Sequence, residues 1–284
     1  MLHFISDSLL DTLKLIPFLF LTYLFMEYIE HKTNDKIEKI IEKNGKAGPL
    51  AGAVLGIIPQ CGFSSAAANL YAGRIITVGT LAAIFISTSD EMLPILIASS
   101  APASTVAGIL LYKLVSAVIF GFAIDFILKK PLSHDHHDEI HHMCEKQGCN
   151  CEGGNIFTSA LKHTVNISIF IFIITFICSL LIHAAGLDAA GSSFFRIPVL
   201  GELTASLIGL VPNCASSVVI TQLYLEGIMP AGPMISGLAV NSGLGLAVLF
   251  KVNRNIKENL KITSILFAAA VISGLVVSVF NITF

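Results

Sequence analysis

Two stretches decide how this chain folds: Gly56-Ile57-Ile58-Pro59-Gln60-Cys61-Gly62-Phe63-Ser64 and Gly209-Leu210-Val211-Pro212-Asn213-Cys214-Ala215-Ser216-Ser217. Each sets a proline, an amide and a cysteine in the middle of an apolar run. Proline has no backbone donor, and it disfavours helix at the residue before it. An apolar helix therefore cannot run through either stretch unbroken. Broken backbone inside lipid survives only where protein or a water-filled cavity satisfies it.

The two stretches are copies. An offset of 153 residues lays Gly56 on Gly209 and, without a gap, segment 56–96 on 209–249. Pro59, Cys61, Ser64, Leu70, Tyr71, Ile75, Gly79, Ser89, Leu93 and Leu96 each meet the same residue type there. Gln60 meets Asn213 and Asn69 meets Gln222, so the amide chemistry recurs too. The same offset lays segment 9–29 on 162–182. Such self-similarity is the signature of an internal repeat.

Outward from these motifs, eight apolar segments fill the chain, at 9–29, 48–72, 75–98, 103–128, 161–185, 198–225, 229–250 and 262–283. A membrane-crossing helix needs about 20 apolar residues. The composition agrees: 54% of the 284 residues are hydrophobic and 13% are charged, against about 25% charged in soluble domains. The net charge of −2 gives no basic surface for nucleic acid. Trp is absent, so Phe and Tyr must anchor the interfaces. Met1-Leu2-His3-Phe4 lacks the basic start of a signal peptide. Cys61, Cys178 and Cys214 lie in apolar segments, and Cys144, Cys149 and Cys151 share one polar loop. That distribution suits free thiols or metal ligands rather than a disulfide framework.

Charge sets the expected topology. Loop 30–47 carries five lysines, Lys129 and Lys130 follow the fourth segment, and 251–261 is basic. If all eight segments crossed, these loops would face opposite sides, against the positive-inside rule. If 48–72 and 198–225 instead enter and leave on one side, all the basic loops and Arg74 face the cytoplasm. Each half then has three crossings, and the second half is inverted. In each hairpin the serines (Ser64 and Ser65, Ser216 and Ser217) are expected to cap the second half-helix. Paired interruptions at matching places in two inverted halves point to a transport site.

Candidate ligands follow from position and chemistry. Asp90 and Glu91 sit inside the third apolar segment, in Ser87-Thr88-Ser89-Asp90-Glu91. A carboxylate in mid-membrane costs at least ~2.5 kcal/mol, and such groups usually bind ions or carry protons. The repeat places Asn241-Ser242-Gly243 opposite, polar but uncharged. Gln60, Cys61 and Ser64 from one hairpin, with Asn213, Cys214 and Ser217 from the other, complete the expected site. Thiolate and amide oxygen together suit a soft cation or a trivalent arsenic species, although cysteine also serves as a small apolar residue at tight crossings. A second cluster, His134, His136, His137, His141, His142, Cys144, Cys149 and Cys151, carries ligands for Zn(II), Cu(I), Ni(II) or Co(II). Its spacing is too dense and irregular for a zinc finger, so a metal-gathering loop is expected. No nucleotide-binding loop, Ser/His/Asp set or HExxH motif occurs.

The run from Gly56 to Ser64, followed by Asn69-Leu70-Tyr71 and Ser89-Asp90-Glu91-Met92-Leu93-Pro94, resembles the ten-helix (10TM) heavy-metal exporter family. The run Gly209 to Ser216 does so too. Members of that family carry names such as arsenic efflux and manganese transport protein. The sequence is also distantly similar to the organoarsenical efflux permeases, with Pro-x-Cys motifs in two halves. The resemblance covers nearly the whole chain and implies ten helical pieces, which six crossings and four half-helices supply.

These readings predict an all-α integral membrane protein of two inverted repeats, each with three spanning helices and a re-entrant helical hairpin. The repeats are expected at 1–130 and 156–284, with a cytoplasmic His/Cys-rich loop at 131–155. The expected function is secondary, proton-coupled export of a divalent or soft metal ion (Mn, Zn, Co, Cu) or an arsenic species across the inner (plasma) membrane. Both termini would lie outside. An anion or oxyanion carrier using the half-helix N-termini is the alternative. No permanent cofactor, catalytic residue or nucleic-acid partner is expected. Lipid, the transported ion and protons are the expected partners, and a homodimer is compatible with the pattern.

Overall fold

The computed structural model describes residues 47–57, 61–89, 91–128, 197–253 and 255–284, with Phe195 and single helical positions within 13–24 and 157–173. Cys61 and Cys214 are placed by their backbone alone. Ten helices have both ends placed among the described residues: α1 (Gly48–Gly56), α2 (Cys61–Ala72), α3 (Val78–Ser87), α4 (Met92–Ala98), α5 (Ala103–Leu128), α6 (Leu200–Gly209), α7 (Cys214–Leu225), α8 (Ala231–Val240), α9 (Gly245–Val252) and α10 (Ile256–Val279). The expected crossings at 9–29 and 161–185, and the loop at 131–155, fall largely outside the described residues.

The offset of 153 read in the sequence reappears in the backbone. It carries α2 onto α7 and α3 onto α8 at both ends, and the start of α5 onto the start of α10. The turn after α2 closes with Gly73 N, Arg74 N and Ile75 N donating to Asn69 O, Tyr71 O and Leu70 O. The turn after α7 repeats it with Glu226, Gly227 and Ile228 donating to Gln222, Tyr224 and Leu223. Both turns need a left-handed residue, Arg74 (φ 57°) and Gly227 (φ 70°). Glycine takes that conformation without strain, whereas arginine does so at a cost of roughly 1–2 kcal/mol. A bidentate ion pair from Arg74 to Glu258 of α10, both contacts at 2.9 Å, helps to offset it.

Helix packing repeats at the same offset. A Cβ on Gly56 would collide with Ser87 and Ile84; one on Gly209 would collide with Gly237 and Val240. Gly79 lies against the Gly121 carbonyl and Asp125, and Gly232 against the Gly274 carbonyl and Ser278. Small residues let backbones approach closely, which is how helices associate without a hydrophobic drive in lipid. These contacts run α1 parallel to α3 and α6 parallel to α8, while α3 with α5 and α8 with α10 are antiparallel.

Each hairpin opens towards one end. Gly48 begins α1 beside Thr80, and α2 ends six residues before α3 begins. Both outer ends of the first hairpin thus sit at the start of α3. In the second half, Gly201 lies beside Pro233 near the start of α8, and α7 ends six residues before α8. Where α5 meets α10, Gly108 touches Phe284 and the Ser116 and Ser273 hydroxyls lie 3.2 Å apart, so these two helices are antiparallel. The start of α3, the end of α5 and the start of α10 share one end of the molecule, through Asp125 with Thr77 and Arg74 with Glu258. Lys257 and Lys261 lie in the first turns of α10 and Lys251 in the last turn of α9, towards the end that carries Arg74, while Glu202 lies in the first turn of α6 and Glu226 follows α7 towards the other end.

Among the described residues, four segments are long and apolar enough to cross a membrane: Val78–Ala98, Ala103–Leu128, Ala231–Val252 and Ile256–Val279. On α5, Leu111, Val115, Ile119, Phe122 and Phe126 are exposed at helical spacing, a stripe that fits lipid. The spans Val78–Ala98 and Ala231–Val252 are more buried, and each is broken in the middle. The sequence reading took them as continuous crossings; instead α3 stops at Ser87 and α8 at Val240, with Thr88 and Asn241 extended (ψ 129° and 103°). The serine caps are corrected as well. Ser64 and Ser65 lie inside α2, and Ser216 and Ser217 inside α7, because both helices begin at the preceding cysteine.

Candidate functional site

Four interruptions fall at one level. A ten-residue helix such as α3 advances about 15 Å, half of a hydrocarbon core of about 30 Å. The hairpin tips come level with its end, because Gly56 packs on Ser87 and Gly209 on Val240, the last residues of α3 and α8. The second arms then cross between halves. Gly245 at the start of α9 lies against Ser64 of α2, and Met92 and Leu96 of α4 cluster with Val219, Ile220 and Leu223 of α7. Each hairpin therefore packs against the broken helix of the other half.

The second-half break is held by a relay of hydrogen bonds. Asn241 Nδ2 donates to Ser216 Oγ at 2.6 Å, and Ser216 Oγ donates to the Asn213 carbonyl at 2.7 Å. Asn241 Oδ1 accepts from Gly243 N at 2.7 Å, and Ser242 Oγ accepts from Leu246 N at 3.1 Å. Buried polar groups need such partners, and here they fix the tip of one hairpin to the break beside it. Asn213, Ser216, Ser217, Asn241 and Ser242 are all buried.

The first-half break is built differently. Ser87 Oγ, Thr88 Oγ1 and Ser89 Oγ all donate back to carbonyls of their own segment, Ala83, Ile84 and Ser87. Glu91 precedes α4 half-buried, and its side chain makes no capping bond. Ser64 is fully buried, and the neighbouring Ser65 hydroxyl is buried with no partner among the described residues.

Lys113 supplies what the sequence reading missed. It lies midway along α5, almost fully buried, and its ammonium donates to the Thr88 carbonyl and, at 3.2 Å, to the Leu238 carbonyl. One acceptor follows the end of α3 and the other lies in the last turn of α8. The signal was available: a lone lysine within the apolar run 103–128 is an intramembrane ion, which marks a functional site by default. The repeat places Leu266 opposite it, also buried.

The structure thus gathers Ser64, Ser217, Asn213, Asn241 and Glu91 around paired breaks and starts α2 and α7 at Cys61 and Cys214. Gln60 and Asp90 lie outside the described residues, as do His134, His136, His137, His141, His142, Cys144, Cys149 and Cys151. Among the described residues no three His, Cys, Asp or Glu side chains converge.

A family model described as "Putative, 10TM heavy-metal exporter" matches residues 1–153 and 132–247. No curated protein and no solved structure gives a match. Apolar helices of membrane-crossing length among the described residues and a family match over most of the chain lead to one assignment: this multi-pass membrane protein belongs to the 10TM heavy-metal exporter family.

Proposed function

We propose that the chain is a secondary transporter exporting a divalent or soft metal species, or an arsenic species, from a site between two inverted repeats. The observation that carries this is the coincidence of two hairpin tips and two helix breaks at one depth. Discontinuous helices at the repeat interface are how such carriers expose backbone and dipole ends to a substrate. Inversion is supported by the antiparallel course of the repeat-related α5 and α10. The lysine-rich end is the cytoplasmic one on the positive-inside rule, which leaves both termini outside and the His/Cys-rich loop at 131–155 gathering metal inside.

In this reading Gln60, Cys61, Asn213 and Cys214 at the tips, with Asp90, Glu91 and Asn241 at the breaks, surround the substrate. Soft thiolates and amide oxygens would bind it, and Asp90 or Glu91 would exchange protons with it. The test is uptake into proteoliposomes across Mn, Zn, Co, Cu(I), arsenite and phosphate, for the parent chain and for D90N and E91Q. Transport of one metal or of arsenite, lost in both variants, is expected. Unchanged transport in both variants removes the carboxylate role.

A second reading, an anion or oxyanion carrier, is favoured by the N-termini of α2, α7 and α9, which all begin at the interruptions. Helix N-termini attract negative charge. Deleting residues 134–151 separates the two: a metal exporter loses tolerance to its metal, whereas phosphate transport is unaffected.

A further inference from the structure

The Lys113 ammonium sits where two helix ends converge. A helix leaves its last carbonyls without intrahelical partners, and its C-terminus carries about half a negative charge. Thr88 O is the first carbonyl past α3, and Leu238 O belongs to the final turn of α8; one comes from each half, and a single ammonium bridges them. Carbonyls freed at broken helices, and half-helix C-terminal ends, are the groups with which ion-coupled carriers hold a coupling cation. Lysine is a compact point charge on a flexible stem, so it can deliver an ammonium to such a place from a third helix. The charge is not a feature of the scaffold, because the repeat-related position holds Leu266.

We propose that the Thr88 and Leu238 carbonyls form a monovalent-cation site that this chain fills with its own Lys113 ammonium. The tethered ammonium then does the work of a bound sodium ion: it neutralises two helix ends and joins the two broken helices across the repeat interface. Transport consequently requires no sodium. This consequence rests on the transporter reading, whereas the site itself does not.

The test uses the purified full-length chain in detergent and needs no transport. Lys113→Ala removes the side chain beyond Cβ, a space that propylammonium fits atom for atom; 1-propanol is its neutral isostere. The unfolding midpoint of K113A should fall below that of the parent and then rise saturably by about 3–5 °C with propylammonium chloride. Choline chloride and 1-propanol should leave K113A unmoved, and propylammonium should leave the parent unmoved. No propylammonium shift in K113A, or an equal shift in the parent, overturns the proposal. If K113A does not survive purification, K113R and K113M decide. Arg keeps a cation and Met keeps only the length, so K113R should purify with a midpoint near the parent's while K113M loses folded protein. A K113M midpoint matching the parent overturns the site. Proteoliposomes that move none of the ions tested would sink the exporter reading and leave this site standing, whereas an absent propylammonium effect would do the reverse.

Discussion

The break after α3 and the break after α8 share a backbone and differ in chemistry. Both helices begin and end at the same repeat positions, close with the same amide-to-carbonyl bond (Thr88 to Ile84, Asn241 to Gly237), and lie on a glycine of the neighbouring hairpin. The second break has no charged residue of its own and relays hydrogen bonds from Asn241 to Asn213. The first has Asp90 and Glu91 in its sequence, and the Lys113 ammonium donates to a carbonyl beside each break, Thr88 O and Leu238 O. The offset of 153 thus repeats the geometry that interrupts the helices, whereas acidic residues fall in one break only.

The carboxylate at the outer end of each broken helix has also moved. In the first half Asp125 of α5 accepts from Thr77 Oγ1 at 2.6 Å and from Gly79 N at 2.7 Å. In the second half that position is Ser278, which donates to Glu202 of α6 instead.

If the two halves share one packing geometry, the same lesion must hurt both. Gly56→Ala and Gly209→Ala should each lower stability by about 1–3 kcal/mol, since the added methyl meets backbone and neighbouring side chains that cannot yield; thermal unfolding in detergent reads this. Loss in only one variant would break the equivalence. A smaller effect should expose the asymmetry of the outer ends. Asp125→Ala removes two charge-assisted bonds, with an expected cost of about 2 kcal/mol, against about 1 kcal/mol for Ser278→Ala. The reverse order would show that Glu202 carries more than Asp125. The smallest contrast lies at the left-handed turns. Arg74→Ala loses the Glu258 pair and keeps the strain, whereas Arg74→Gly loses the pair and relieves it, so the glycine variant should be more stable by about 1 kcal/mol. Equal stabilities would mean that the turn is not strained.

Much of this frame was legible in the chain itself. The offset of 153 residues, the interruptions at Pro59 and Pro212, and the pairing of Gln60 with Asn213 are sequence facts. They predicted the hairpins because proline and small residues act locally, through backbone donors and close approach. Asn241 follows as a polar counterpart of the acidic break from the same offset. What local reading left out was distance between segments. The breaks after Ser87 and Val240 carry no proline at the point of interruption, so the third and seventh segments read as continuous.

The sequence by itself determined a multi-pass membrane protein and the offset of 153 residues between its two proline-amide-cysteine motifs, since hydropathy and self-similarity are properties of the chain alone. Only the tertiary structure decided that hairpin tips and helix breaks fall at one depth, and that Lys113 reaches a carbonyl from each half. The physical reason is that an ammonium finds its acceptors through space: Leu238 lies 125 residues from Lys113 along the chain and 3.2 Å away in the fold.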